Sequence, residues 1–247
     1  MAVVTFKKMS FILQPDQDTS AEHKKVVIAV DGPAASGKGT LAKLLAERLG
    51  YAYLDTGALY RAVALATIEL GGNPTKIDDV GPALAIVKRN LTPELLANPA
   101  LRSNDVAETA SYVAALPQVR IELLDYQRSF AKSPPGDVGG AVLDGRDIGT
   151  VVCPAADIKF FVTASAEERA YRRFKELEGR QDGITPEKVL HDIQQRDMRD
   201  SSRKASPALA ATDAYVLDTT KLSPTEGLEE AIAVIRSKFL AETDAGK

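Results

Sequence analysis

"IAVDGPAASGKGTLAKLL", residues 28–45, decides how the rest of the chain is read. An apolar run ends at Asp31, passes through three glycines and becomes a helix-like pattern directly after Lys38. Gly32, Gly37 and Lys38 have the spacing G-x-x-x-x-G-K, between a predicted strand and a predicted helix, which is the context this phosphate-binding motif requires. Its glycines let backbone N–H groups turn inward around an anion without Cβ clashes. The helix N-terminus adds partial positive charge, and Lys38 a full one.

One detail departs from the usual loop. Gly39 follows Lys38 and Thr40 comes one position later, so the hydroxyl that normally meets Mg²⁺ is displaced by a residue. Direct ligation by Thr40 and contact through water both stay open. The GKGT ending resembles nucleoside-monophosphate kinases more than GTPases. A GTPase would also need D-x-x-G and then a guanine-reading N/T-K-x-D; the chain carries "TKID" (75–78) and "DVGG" (137–140) in the reverse order, which excludes that reading.

Bulk composition is that of an ordinary globular α/β chain of 247 residues, 45% hydrophobic and 26% charged. A net charge of -3 gives no global basic field for nucleic acid or membrane, so any phosphate-binding charge must be local. Cys153 stands alone, excluding an internal disulfide, and His23 and His191 lack ligand spacing. No apolar run approaches the ~20 residues of a membrane helix. Residues 1–23 lack the apolar core of a signal peptide and are expected to form a flexible leader on a cytoplasmic protein.

Strands are expected at 24–31, 51–55, "GAVLDG" (140–145), 158–164 and 214–219. Helices are expected at 38–49, from Thr56 as N-cap to Leu70, around 105–115, 117–132, 165–178, 186–200 and 223–241. Over 75–105, Pro82, Pro93 and Pro99 are expected to break any long helix. Strands alternating with helices predict a parallel, doubly wound five-stranded sheet flanked by helices, the P-loop NTPase arrangement. The expected division is a core at 24–72, 116–179 and 207–247, an insert at about 73–115 and a lid at about 180–206.

Three further segments point to the same site. "LDTGALYR" (54–61) puts Thr56, Tyr60 and Arg61 at the mouth of the sheet, where α/β ligands sit. "AVLDGRDIGTVV" (141–152) delivers Asp144 at a strand end, with Arg146 and Asp147 just beyond the turn at Gly145; Asp144 stands where an acidic residue orients Mg²⁺ or its water. If "QQRDMRDSSRKASP" (194–207) is helical, Arg196, Arg199, Asp200 and Arg203 share one face, which fits either a salt-bridged surface helix or a lid that folds over transferred phosphate. In "EERAYRRFKELEGR" (167–180), the Glu168–Arg172 and Glu176–Arg180 spacings read as ordinary i,i+4 pairs, with most of the charge solvated.

Together, GPAASGKGT, LDTGALYR, ASYVAALPQVR, DGRDIGTVV, EERAYRR, RDMRDSSRKASP and DAYVLDTT resemble the bacterial cytidylate kinase family over residues 25 to about 240. The resemblance implies transfer of the ATP γ-phosphate to CMP or dCMP with Mg²⁺. The loop of Gly32, Pro33, Ala34, Ala35, Ser36, Gly37, Lys38, Gly39 and Thr40 would hold ATP, with Arg172 near the adenine. Ser111, Arg120 and Asp147 match the cytosine-reading positions. Thr56, Tyr60, Arg196 and Asp200 match the sugar contacts, and Arg61, Arg146 and Arg203 the acceptor-phosphate clamp. Lys38, Arg146, Arg196 and Arg203 are the expected catalytic residues, and Mg²⁺ would sit on ATP and water near Thr40 and Asp144. The family usually carries a small β-containing insert between Arg61 and Ser111; here that stretch looks abbreviated and proline-broken. No nucleic-acid or membrane partner is implied, and a monomer is expected. The alternatives are a UMP/CMP kinase of broader base choice and a non-catalytic nucleotide-binding protein on the same fold.

Overall fold

The computed structural model describes residues 24–179, 183–203 and 206–245. The expected leader and the Glu176–Arg180 pair therefore lie outside the described residues, as do short stretches of the expected lid. The sheet has five parallel strands: β1 (Val26–Asp31), β2 (Ala52–Asp55), β3 (Gly140–Gly145), β4 (Ile158–Thr163) and β5 (Tyr215–Asp218). Their order is β2-β3-β1-β4-β5, so β1 lies at the centre and the chain reverses direction across the sheet at its carboxyl edge. That crevice is where ligands of such sheets bind.

β1 has both faces buried, as a central parallel strand must. Ile28 and Val30 pack with Leu41 and Leu45 of α1 (Lys38–Leu49) and with Ile232 and Ile235 near the C-terminus. Ala29 turns to the opposite face, against Leu54, Leu143 and Ala131. Register brings Asp55 opposite Asp144, and Asp31 opposite Gly145, so two carboxylates end at one level of the sheet and Asp31 one residue beyond, on the other face. Gly140 opens β3 where a Cβ would stand 2.3 Å from the Val26 carbonyl oxygen and 2.9 Å from the Tyr51 ring.

Helix α2 (Thr56–Glu69) starts one residue differently from expectation. Its cap is Asp55, which accepts the Ala58 N–H, while Thr56 is already helical and its hydroxyl bonds across to β3. Asp wins because the strand delivers its carboxylate directly beneath the open N–H groups of the first turn.

The insert is wholly helical among the described residues: α3 (Ile77–Arg89), α4 (Pro93–Ala97), a 3₁₀ turn (Pro99–Arg102) and α5 (Asn104–Val113). Pro82 does not break α3 but lies within it. The lost backbone bond is offset by burial of Val80, Ala83, Leu84 and Val87 against Leu59 and Val63 of α2. Pro93 and Pro99 begin short helices, where a missing N–H costs nothing. Helices α6 (Pro117–Lys132), α7 (Ala166–Leu177), α8 (Pro186–Ser202) and α9 (Pro224–Ala245) complete the layers.

Gly140→Ala should destabilise the protein by about 1–3 kcal/mol or more, because the clash is with backbone that cannot move without opening the β1–β3 ladder. Urea unfolding of the two proteins measures it.

Candidate active site

The phosphate loop leaves β1 at Asp31 and enters α1 at Lys38. Gly32 (φ +152) is obligatory, since a Cβ there would lie 2.0 Å from the Val162 carbonyl oxygen of β4. Ala35 takes the left-handed conformation at φ 57, and Gly37 at φ 84 caps α1 without any side-chain acceptor. Alternating handedness of this kind turns successive N–H groups toward one point, and an uncapped helix start leaves them available to an anion.

Lys38 stands in a crowd of like charge. Burial, then Arg146, press its ammonium down to about 8, against the pull of Asp144 and Asp55. Arg196 is likewise held down to about 10 by burial and then by Arg146. Burial followed by Arg120 lowers Arg203. Cations that depress one another are a site short of negative charge.

Asp144 is buried, accepts the Tyr53 hydroxyl at 3.2 Å, and is pushed up to about 6 by burial and by Asp55, with Lys38 opposing. Its Oδ2 would lie only 2.8 Å from a Cβ on Gly39. This explains the GKGT departure physically: a Ser or Thr directly after Lys38 would drive its Cβ into a buried carboxylate. Thr40 is instead exposed on the first turn of α1.

The second half of the crevice is organised by Asp200, buried on α8. Arg146 Nε donates to its Oδ2 at 3.0 Å, Arg196 Nε approaches the same oxygen at 3.9 Å, and Arg203 Nη1 lies 3.9 Å from Oδ1. Burial opposes ionisation of Asp200, but the three arginines together hold its carboxyl below the usual range. Arg203 is not on the helical face expected from the sequence: α8 stops at Ser202, and Arg203 turns back in extended conformation to donate to Ser206 O. Arg199 diverges from its neighbours to stack on Tyr112 at 4.8 Å, with Nε 3.4 Å from the Ser111 hydroxyl.

Of the three positions expected to read the base, Arg120 and Asp147 meet each other, while Ser111 faces Asp200 and Arg199. Arg120 donates to Asp147 Oδ2 at 2.5 Å and to Ala114 O at 3.1 Å, and lies 5.3 Å above the Tyr60 ring. Ser111 Oγ is 3.5 Å from Asp200. Tyr60, Pro117, Arg120, Gln127 and Asp147 line a cavity of about 200 Å³. Arg61 donates to Asp55 at 2.5 Å. The Thr56 hydroxyl donates its proton to Asp144 O at 2.7 Å, leaving it only as an acceptor toward a ligand. Arg61 Nε, Arg120 Nε, Arg196 Nε and Arg203 Nη2 are buried donors without a partner among the described residues. Unmet buried donors cost about 1–3 kcal/mol each, more when charged, so the site is built for an acceptor-rich ligand.

Sequence reasoning missed several participants. Asp31, buried, accepts the amides of Ile148 and Gly149 at 2.7 Å each and pins the segment following Arg146 and Asp147; burial pushes it up to about 7 against those donors. A carboxylate closing an apolar strand was the available signal. Thr219 Oγ1 donates to Ser36 O at 2.9 Å, and Arg172 binds Thr219 O at 2.6 Å, with Glu168 at 2.9 Å. Most charged residues of α7 are exposed or part-exposed, as expected, but Arg169 is buried and bridges three segments. Charge periodicity could not reveal this, since the partners lie far away in sequence.

A family model described as cytidylate kinase matches residues 28–237. A cytidylate kinase of Rhodospirillum rubrum is 50% identical over 213 residues, covering 86% of this chain and 98% of that one. One from Paramagnetospirillum magneticum is 51% identical over 213 residues, again 86% and 98%. In fold, the chain is similar to an uncharacterized protein from Eubacterium ventriosum, with a TM-score of 0.52 at 14% identity, over 86% of this chain and 99% of that one.

Gly39→Ala should cost about 1–3 kcal/mol of stability through its approach to Asp144. The loss should shrink when Asp144 is also changed to Ala, a non-additivity that urea unfolding of the four proteins measures.

Proposed function

The chain belongs to the cytidylate kinase family and is a nucleoside-monophosphate kinase drawing its phosphoryl group from ATP; on that premise we propose that CMP and dCMP are its acceptors, and that the residues gathered around Lys38 and Asp200 are the site. The observation that carries this reading is the convergence of Lys38, Arg146, Arg196 and Arg203 on one crevice. Burial and neighbouring cations, Arg146 among them, disfavour the charged forms of Lys38, Arg196 and Arg203, and Arg196 and Arg203 each keep a buried donor without a hydrogen-bond partner.

Phosphoryl transfer asks for positioning and charge neutralisation rather than a covalent nucleophile. The loop Gly32–Thr40 holds the donor phosphates with its amides and Lys38, and Arg172 lies against the loop at Gly37, on the nucleotide side. Arg61, Arg146 and Arg203 clamp the acceptor phosphate, while Arg196 bridges donor and acceptor groups that would otherwise repel. Tyr60 walls the acceptor pocket. Asp200 and Thr56 face the sugar. Arg120, Asp147 and Ser111 read the base: Arg120 and Asp147 are buried and paired with each other and exchange partners for a cytosine at little cost, whereas a base of other pattern leaves one of them unpaired.

Mg²⁺ would neutralise charge on the transferred phosphoryl group. Among the described residues no cluster of three or more Asp, Glu, His or Cys is gathered to hold a metal. Thr40 and Asp144 are hard oxygen donors of the right kind, and we assign them to it through water. The protein works as a cytoplasmic monomer in this reading; among the described residues no helix is long and apolar enough to cross a membrane.

ADP formation from ATP and Mg²⁺ should run at about 1–100 per second with CMP and dCMP, and far more slowly with UMP or AMP each offered alone. Comparable rates with UMP would overturn the base-reading assignment, and no turnover with any of the four would favour a non-catalytic nucleotide-binding protein.

Protonated Lys38 is the form that attracts phosphate. ADP affinity should therefore be level below about pH 8 and fall above it, by about tenfold between pH 7 and 9. Calorimetry across that range checks this, and Lys38→Arg should remove the step.

A further inference from the structure

Arg169 lies on α7, away from the acceptor side of the crevice, and only 6% of it is exposed. Each of its guanidinium nitrogens serves a different segment. Nε donates to Ala164 O at 2.9 Å, Nη1 to Ala34 O at 3.3 Å, and Nη2 pairs with Asp197 Oδ2 at 2.7 Å. The first contact anchors the side chain to the end of β4, the second reaches the phosphate loop, and the third reaches α8.

The loop contact has a consequence through peptide geometry. In a trans peptide C=O and N–H point in opposite directions. Fixing the Ala34 carbonyl on Arg169 therefore turns the Ala35 N–H away from α7. Ala35 itself sits at φ 57, a conformation a residue with a Cβ holds only when its surroundings impose it. Thr219 ties the Ser36 carbonyl in the same manner two residues on. The contact with α8 falls on Asp197, the neighbour of Arg196 and one turn before Asp200. Asp197 Oδ1 is buried without a partner, so Arg169 is the group that compensates this carboxylate.

We propose that Arg169 is a positioning residue that sets the phosphate loop's peptide orientation and, through Asp197, couples the loop to the helix carrying Arg196 and Asp200. It touches neither substrate. Its fixed fork of donors is what lets one side chain hold three acceptors at once, which the single ammonium of a lysine cannot reproduce. The inference rests on the reading of Gly32–Thr40 as the donor site.

The test compares the parent chain with Arg169→Lys, Asp197→Asn and the double variant, by ADP calorimetry, steady-state kinetics with CMP and thermal unfolding. Arg169→Lys should weaken ADP binding and lower kcat, each by about tenfold. Asp197→Asn leaves the loop contact in place, so ADP affinity should stay within about threefold while kcat falls by about tenfold. The double variant should be no slower than Arg169→Lys alone, because both changes break one connection. Lower melting temperatures with unchanged kcat, KM and ADP affinity would make both residues merely structural and overturn the proposal. Should Arg169→Lys not fold, Asp197→Asn decides: an unchanged kcat overturns the coupling. A parent chain that does not bind ADP overturns the donor-site reading and this inference together. A parent that binds ADP while the variants match it overturns this inference alone.

Discussion

Positive charge confined to one crevice is the constraint on which the upper part of the molecule depends. A chain of net charge -3 gathers Lys38, Arg146, Arg196 and Arg203 around one crevice, where burial and neighbouring cations disfavour the charged forms of Lys38, Arg196 and Arg203. Such a cluster persists only if carboxylates are interleaved with it. Asp200 serves the three arginines, Asp144 and Asp55 serve Lys38, and Asp147 serves Arg120. The balance is left incomplete by several buried donors without a hydrogen-bond partner.

The parallel sheet makes this interleaving possible. Because β1, β2 and β3 end in register, Asp55 and Asp144 emerge side by side at the carboxyl edge and Asp31 one residue beyond on the other face, and each takes a different task. Asp31 accepts two amides and fixes the segment after Arg146, Asp55 caps α2 and holds Arg61, and Asp144 lies under Gly39 near Lys38. The missing Cβ at Gly39 and the buried carboxylate are one feature seen from two sides.

The helical insert and α8 supply the rest from a distance. Ser111 and Tyr112 on α5 meet Arg199 and Asp200 on α8, nearly ninety positions along the chain, and Asn104 meets Arg173 of α7 at 2.6 Å. The segment built of α3, α4 and α5 on α2 thus reaches α7 and α8 without a strand, its apolar faces packed on Leu59, Val63 and Leu123. Proline placement in that insert proved compatible with helices, because two prolines open them and Pro82 is retained by the burial around it.

Local patterns were sufficient for the glycine-rich loop after β1, the five strands and most helix spans. Each of these is written in contiguous residues: a β-branched run, a glycine spacing, a helical repeat, a motif at a strand end. The sequence could not say that Asp55 rather than Thr56 caps α2, because both are capping residues and only the path of β2 aims one of them at the open amides. It could not say that Arg203 leaves the helix, that Arg199 turns to Tyr112, or that Arg169 is buried between the loop and Asp197. Those outcomes depend on partners between 28 and 135 residues distant, or on where a helix meets a neighbour, and burial sets their energies. A charged side chain looks the same in sequence whether water or a carboxylate surrounds it, and only the packed structure decides which.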